Sequence, residues 1–126
     1  QRMDEAIARQ QIVTPEIVLV ELSRVDDDLY KWAEKRKSDL FVPLTEDLQE
    51  VQKEIVNQFP RLTMEVKGRS LADPWVIGLS ILRQCPVVSM ERPGSDNKPR
   101  IPDVCRWLGV RHMSVADMIE EMEWRF

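Results

Sequence analysis

Apolar residues recur at helical spacing along most of the chain, and the breaks between these stretches carry Asp, Ser, Thr, Pro or Gly. Met3 to Gln10 reads as the end of a helix, followed by the short apolar run Gln11-Ile12-Val13. Thr14-Pro15-Glu16 then predicts a helix start: Thr14 can cap, Pro15 suits the first helical position, and Glu16 favours the positive end of the dipole. That helix is expected to reach about Val25, and Asp26-Asp27-Asp28 opens another through Leu29, Tyr30, Trp32 and Ala33. Phe41-Val42-Pro43-Leu44 reads as a connector or short strand. Thr45-Glu46-Asp47 begins a third helix, with Leu48, Val51, Ile55 and Phe59 on one stripe, ending near Pro60.

Further on, Lys67-Gly68-Arg69-Ser70 reads as loop, and Asp73-Pro74 starts an apolar helix through Trp75, Val76, Ile77, Leu79 and Leu82. Pro86-Val87-Val88-Ser89-Met90 is the best strand in the sequence, with the continuous apolar character of a buried parallel strand. Residues 92–100 form a polar loop rich in breakers. Pro102 starts a helix that ends at Gly109, Val110 to Met113 is a candidate strand, and Ser114 with Asp117 makes a capping-box start for the last helix. Helices alternating with short apolar strands predict an α/β fold: a helix-rich, three-layer α/β/α domain around a short parallel sheet, spanning residues 1–126 as one domain. The sequence contains no internal repeat.

A chain of 126 residues suits one domain, and 43% hydrophobic with 32% charged residues is enough for one core. No stretch approaches the roughly 20 apolar residues of a membrane span, and the charged opening residues do not read as a signal peptide. Cys85 and Cys105 lack a CxxC or histidine-rich companion, so reduced thiols in a cytoplasmic protein are expected. The formal charge is −4, yet residues 61–111 hold nine Lys/Arg against five acids and are net +4, a local excess that can steer a polyanion.

The candidate chemistry lies in acids that local rules do not favour. With Ile17 at 0° on a helical wheel of about 100° per residue, Val25 falls near 80° and Val18 near 100°, and Glu21 falls near 40°, inside that apolar sector. A carboxylate there is costly unless paired, protonated or bound to a cation. The bland account is a buried ion pair, with Arg24 for instance, or a helix rotated to expose it. Asp73 precedes Pro74 as a good N-cap would, but it also lies where ligands gather at strand ends in open α/β folds. Glu91 immediately follows the strand Val87–Met90, and Asp103 sits in the first turn of the next helix, where the dipole favours an acid. Several such acids in one small domain suggest clustering around a divalent cation, with Mg²⁺ or Mn²⁺ as the ion that prefers oxygen ligands. The only histidine, His112, is expected to be structural, and the sequence shows no base beside a serine or cysteine. There is no glycine-rich phosphate loop.

Ala72-Asp73-Pro74-Trp75-Val76-Ile77-Gly78-Leu79 resembles the ADPWLIA motif of a bacterial PIN-like family related to VapC-type toxins. Val87-Val88-Ser89-Met90-Glu91 resembles that family's strand end. Arg100-Ile101-Pro102-Asp103-Val104-Cys105 with Leu108-Gly109-Val110 is similar to its KIPDVC…LGV signature, and Ile12-Val13-Thr14-Pro15 with Val20-Glu21-Leu22 to its first acidic helix. The resemblance covers essentially the whole chain. It implies a Mg²⁺- or Mn²⁺-dependent endoribonuclease of the toxin–antitoxin type, in which a held metal activates water against the RNA phosphodiester. Glu21 and Asp73 would be metal ligands, and the last acid is either Glu91 or Asp103, with Ser89 as the small hydroxyl beside it. An antitoxin protein and a homodimer are implied partners, the latter with Trp124 and Phe126 as contacts. Domains of that family open with a strand ending in an Asp-Thr-Asn-like motif. Nothing in Gln1 to Gln11 matches it, so the first strand and first helix are expected to be absent from this sequence.

Two other classes compete: a PIN-like module that has lost catalysis and serves in binding, and a helical interaction domain whose acids are only caps and ion pairs.

Overall fold

A computed structural model describes residues 2–25, 27–62 and 72–122, without the side chains at positions 2 and 25. The expected loop at Lys67–Ser70 and the tail contacts Trp124 and Phe126 lie outside the described residues. The fold is a helix-rich mixed α/β arrangement with small parallel sheets. It resolves into two compact units, residues 1–46 and 47–126.

The first unit contains α1 (Arg2–Ala8), β1 (Thr14–Pro15), α2 (Ile17–Val25), α3 (Asp27–Glu34), α4 (Lys37–Leu40) and β2 (Phe41–Val42). β1 and β2 pair in parallel, Thr14 opposite Phe41 and Pro15 opposite Val42. This pairing overturns the expected helix start. Thr14 and Pro15 are drawn into a strand, the Glu16 N–H continues the ladder to the Val42 carbonyl at 2.9 Å, and the helix begins only at Ile17. Pro15 has no N–H to lose, and a two-stranded edge tolerates it. Ile7, Leu19, Ala33, Leu40 and Phe41 form this unit's core. Arg36 clamps it from outside: its guanidinium pairs with Asp4 at 2.9 Å, donates to the Trp32 carbonyl at 2.8 Å and lies 4.2 Å from the Trp32 ring centroid.

The second unit holds α5 (Glu46–Gln58), a 3₁₀ turn at Pro60–Leu62, α6 (Asp73–Arg83), β3 (Val87–Val88), α7 (Ile101–Leu108), β4 (His112–Met113) and α8 (Val115–Glu121). β3 and β4 are parallel, with α7 in the crossover between them, as parallel strands require. The core gathers Ile55, Leu62, Ile77, Val87, Ile101, Val104 and Cys105. Burying each aliphatic side chain contributes about 1.5–3 kcal/mol. Gly78 of α6 faces α5, where a Cβ would stand 3.4 Å from both Leu48 Cδ1 and Val51 Cγ1, an ordinary contact distance. Val88, expected to be buried on both faces of a continuous apolar strand, is 36% exposed, so only the Val87 side of β3 is covered.

The signals for α7 and α8 act as their chemistry requires. Gly109 takes φ 71°, and the next N–H, from Val110, donates back to the Cys105 carbonyl at 2.8 Å, closing the helix in a left-handed cap. At the start of α8, Ser114 Oγ accepts from the Asp117 N–H at 3.0 Å while the Asp117 carboxylate accepts from the Ser114 N–H at 3.2 Å.

The two thiols differ in accessibility. Cys85 is exposed, whereas Cys105 is fully buried and its pKa is pushed up to about 11 by burial. A thiol is reactive only as thiolate. The folded chain therefore consumes about one equivalent of an aromatic disulfide reagent, at Cys85, and a second only in denaturant. Rapid uptake of two equivalents under native conditions would contradict this packing.

Candidate functional site

Three of the four acids singled out by the sequence belong to the second unit, and each has a definite local setting. Asp103 is 2% exposed. Its Oδ2 accepts the Gly94 N–H at 2.6 Å and the Arg100 N–H at 2.9 Å, and its Oδ1 lies 3.6 Å from Arg106. One carboxylate oxygen thus ties the 92–100 loop to the first turn of α7 while sitting at the positive end of that helix. Glu91 reaches the same helix end, its Oε1 accepting the Ile101 N–H at 3.0 Å. Gly94 completes the arrangement: a Cβ there would fall 2.2 Å from the Lys98 carbonyl oxygen, so no side chain fits without moving the backbone.

Glu91 is also joined to the strand ends. Its N–H donates to Ser89 Oγ at 3.3 Å, and the same Oγ lies 2.7 Å from His112 Nε2. The serine–histidine contact corrects the expectation that no base stands beside a serine. The two residues are 23 apart in sequence. They meet because Val87 pairs with His112 across parallel strands, and Ser89, two residues on, shares the face of Val87. The signal was present in the strand pattern, but the register between β3 and β4 was needed to use it.

Burial lowers the pKa of His112 from 6.5, opposed by Glu91 and Asp117, so the ring is neutral at pH 7. The unfolded chain takes its proton near pH 6.5 and the folded chain only at lower pH. Between those values the unfolded state binds more protons, so this contribution to stability is full above pH 6.5 and is lost as pH falls through the folded pKa. Urea titrations at pH 7.5, 6.5 and 5.5 should show stability falling with acid, and His112→Gln should flatten the trend. With a single histidine in the chain, an unchanged slope in that variant would assign the effect elsewhere.

An open hollow of about 500 Å³ lies on the α8 side of His112, lined by Arg111, His112, Met113, Asp117, Glu120 and Glu121. Arg111 is held by both carboxylate oxygens of Glu121, at 3.1 and 2.7 Å. Three acids facing one already paired guanidinium make this hollow unsuited to a polyanion.

Asp73 is 7% exposed and occupies the first turn of α6. It is not the cap, as the sequence suggested; Ala72 takes that position, and Pro74 follows within the first turn. Ala72 already has helical backbone angles, so the carboxylate lies within the helix proper. Glu21 belongs to the first unit, on α2, and is half-buried rather than set within a core stripe. The buried residue of α2 is Leu19, at 7% exposed, with Val18 and Leu22 packed against the same core, so the helix is rotated away from the expected sector that held Ile17 and Glu21.

Among the described residues, no three His, Cys, Asp or Glu side chains form a group that could hold a metal ion. The expected cluster of carboxylates is therefore not assembled among them. Asp103 fits a metal least, because its Oδ2 is already shared by two backbone donors. Glu91 commits one oxygen, Oε1, to the Ile101 N–H.

A family model described as a domain of unknown function (DUF4411) matches residues 1–126, and the chain belongs to that family. No curated protein and no solved structure matches the chain.

Proposed function

We propose that this member of the family works as a metal-dependent, RNA-cleaving domain of the PIN type, in the toxin–antitoxin class, with Asp73 and Glu91 as its metal-facing carboxylates in the second unit. The observation that carries the reading is Asp73: a carboxylate only 7% exposed, at the start of an apolar helix that packs on a parallel strand. The connection from α6 to β3 is residues 84–86. Such a short turn sends the helix back against the strand, so the helix start lies toward the strand's carboxyl end. Glu91 follows that same end, which is where open α/β folds take their ligands.

A divalent ion at such carboxylates supplies positive charge against the phosphate oxygens of RNA. The chain's own contribution is positional. The Ser89 hydroxyl receives the Glu91 N–H, and the Ile101 N–H holds Glu91 Oε1, so the glutamate is fixed from both sides. Asp103, offered by the resemblance as an equal alternative, acts instead by holding the loop against α7. Glu21 carries its assignment from the sequence resemblance.

A second reading has one observation in its favour. The commitment of Asp103 and Glu91 to backbone N–H groups suits a PIN-like module that binds without cutting. The two separate in one assay: cleavage of a fluorescent single-stranded RNA in Mn²⁺ and in EDTA, by the chain alone and by the chain preceded by an aspartate-ended strand of the PIN type. Mn²⁺-dependent cleavage that Glu21→Gln reduces supports the nuclease. If neither form cuts in Mn²⁺ while both remain folded, the binding module is the better account. No helix among the described residues is long and apolar enough to cross a membrane.

A further inference from the structure

The second unit carries an aromatic pair on its surface that the acids do not explain. Phe59, at the exit of α5, and Trp107, on α7, stack with centroids 5.5 Å apart and planes inclined by 12°. Phe59 packs on the core, whereas Trp107 is 42% exposed. The Arg106 guanidinium lies 5.8 Å from the Trp107 centroid, near the outer limit of a cation–π contact, so it flanks the ring without sealing it.

The charge around the pair is basic. Arg61, two residues beyond Phe59, is exposed, and its Nη1 donates to Asn97 Oδ1 at 3.0 Å. That bond joins the exit of α5 to the 92–100 loop, which brings exposed Arg92, Lys98 and Arg100. Asp96 is the one exposed acid of the loop, since Asp103 is 2% exposed and satisfied by backbone donors. The acids of α5 stop at Glu54, leaving its last turn without any. The result is a stacking surface amid cations, the combination by which proteins bind single-stranded nucleic acid: a base on an aromatic face and phosphates on the guanidinium groups.

We infer that the Phe59–Trp107 pair is a platform for a base of single-stranded RNA, with Arg61, Arg106 and the basic 92–100 loop holding the adjoining phosphates. The inference rests on the RNA-cleaving reading for its choice of ligand and extends it from chemistry to substrate binding. An apolar protein partner suits the surface less, because Arg106 flanks the exposed ring and the loop tied to the exit of α5 is basic.

The test is fluorescence anisotropy of a labelled 12-nucleotide oligouridylate with the chain in EDTA, where binding is read without cleavage. Trp107→Ala should weaken binding about 5- to 100-fold, since one base stack is lost. Trp107→Phe should change it less than about threefold, because a ring remains. Trp107→Leu, which keeps the packing against Phe59 without a stacking face, should behave like alanine and guards against a folding artefact. Arg61→Gln and Arg106→Gln should each reduce the slope of log affinity against log salt by about 0.7. Wild-type affinity in Trp107→Ala and Trp107→Leu, or no binding by the wild-type chain, overturns the platform. So does a pair of variants that lose self-association while RNA binding is unchanged, which would assign the face to a second copy of the chain. RNA binding that depends on Trp107, without cleavage in Mn²⁺, removes the nuclease reading and leaves the platform. Cleavage with Trp107-independent binding does the reverse.

Discussion

Replacing Asp103 by alanine lowers the stability of the folded chain by about 2–5 kcal/mol, because two backbone N–H groups lose their acceptor at once. Those groups belong to Gly94 and Arg100, and both bond the same Oδ2. The Gly94 N–H lies in a turn so tight that a Cβ there would meet the Lys98 carbonyl oxygen at 2.2 Å, leaving the backbone little room to turn. Arg106, 3.6 Å from Oδ1, adds little, since its side chain is 64% exposed and solvent screens the pair. Thermal melts followed by circular dichroism should show a drop of roughly 8–20 °C for Asp103→Ala, at about 4 °C per kcal/mol for a domain of this size. Asp103→Asn retains one acceptor oxygen and should cost less than half as much. Equal losses in the two variants, or none, would show that the loop does not depend on this carboxylate.

Asp73→Asn has the opposite profile. In the proposed nuclease it should reduce Mn²⁺-dependent RNA cleavage by about 100-fold or more, since several kcal/mol of transition-state charge stabilisation passes through a metal-facing group and each 1.4 kcal/mol is worth a factor of ten. The fold should survive. Asparagine is nearly the shape of aspartate and keeps an acceptor oxygen at a site 7% exposed. Activity assays and urea denaturation on the same preparation make the comparison. Undiminished cleavage by a folded Asp73→Asn protein would leave Asp73 a purely structural acid and remove the chief support for the metal reading.

These two aspartates show how much of the site was legible in the sequence. Both stand in a helix's first turn, one residue before or after a proline, and by local rules they are interchangeable: acids at the positive end of a helix. Nothing in their spacing says that Asp103 spends one oxygen on a loop nine residues upstream, because that bond depends on how residues 92–100 fold back over α7. The same holds for Ser89 and His112, which the sequence left unrelated and the parallel register of β3 and β4 brings to 2.7 Å. Trp107 drew no notice in the sequence; its stacking on Phe59 follows from the packing of α7 near the exit of α5.

Local free energies alone determined most of the elements: the stripe of α5, the left-handed glycine cap of α7, the Ser114–Asp117 box of α8 and the breaker-rich loop before α7 are each settled within a few residues of chain. Tertiary structure decided what local energies leave nearly balanced. Thr14 and Pro15 satisfy a helix start and a strand edge about equally well, and pairing with Phe41 and Val42 selected the strand. The apolar residues of α2 surround much of its circumference, so packing within the first unit, not the sequence stripe, chose Leu19 as the buried side and left Glu21 half-covered. A side chain's role is fixed by the groups that reach it from distant parts of the chain, and helical or strand periodicity carries no record of those.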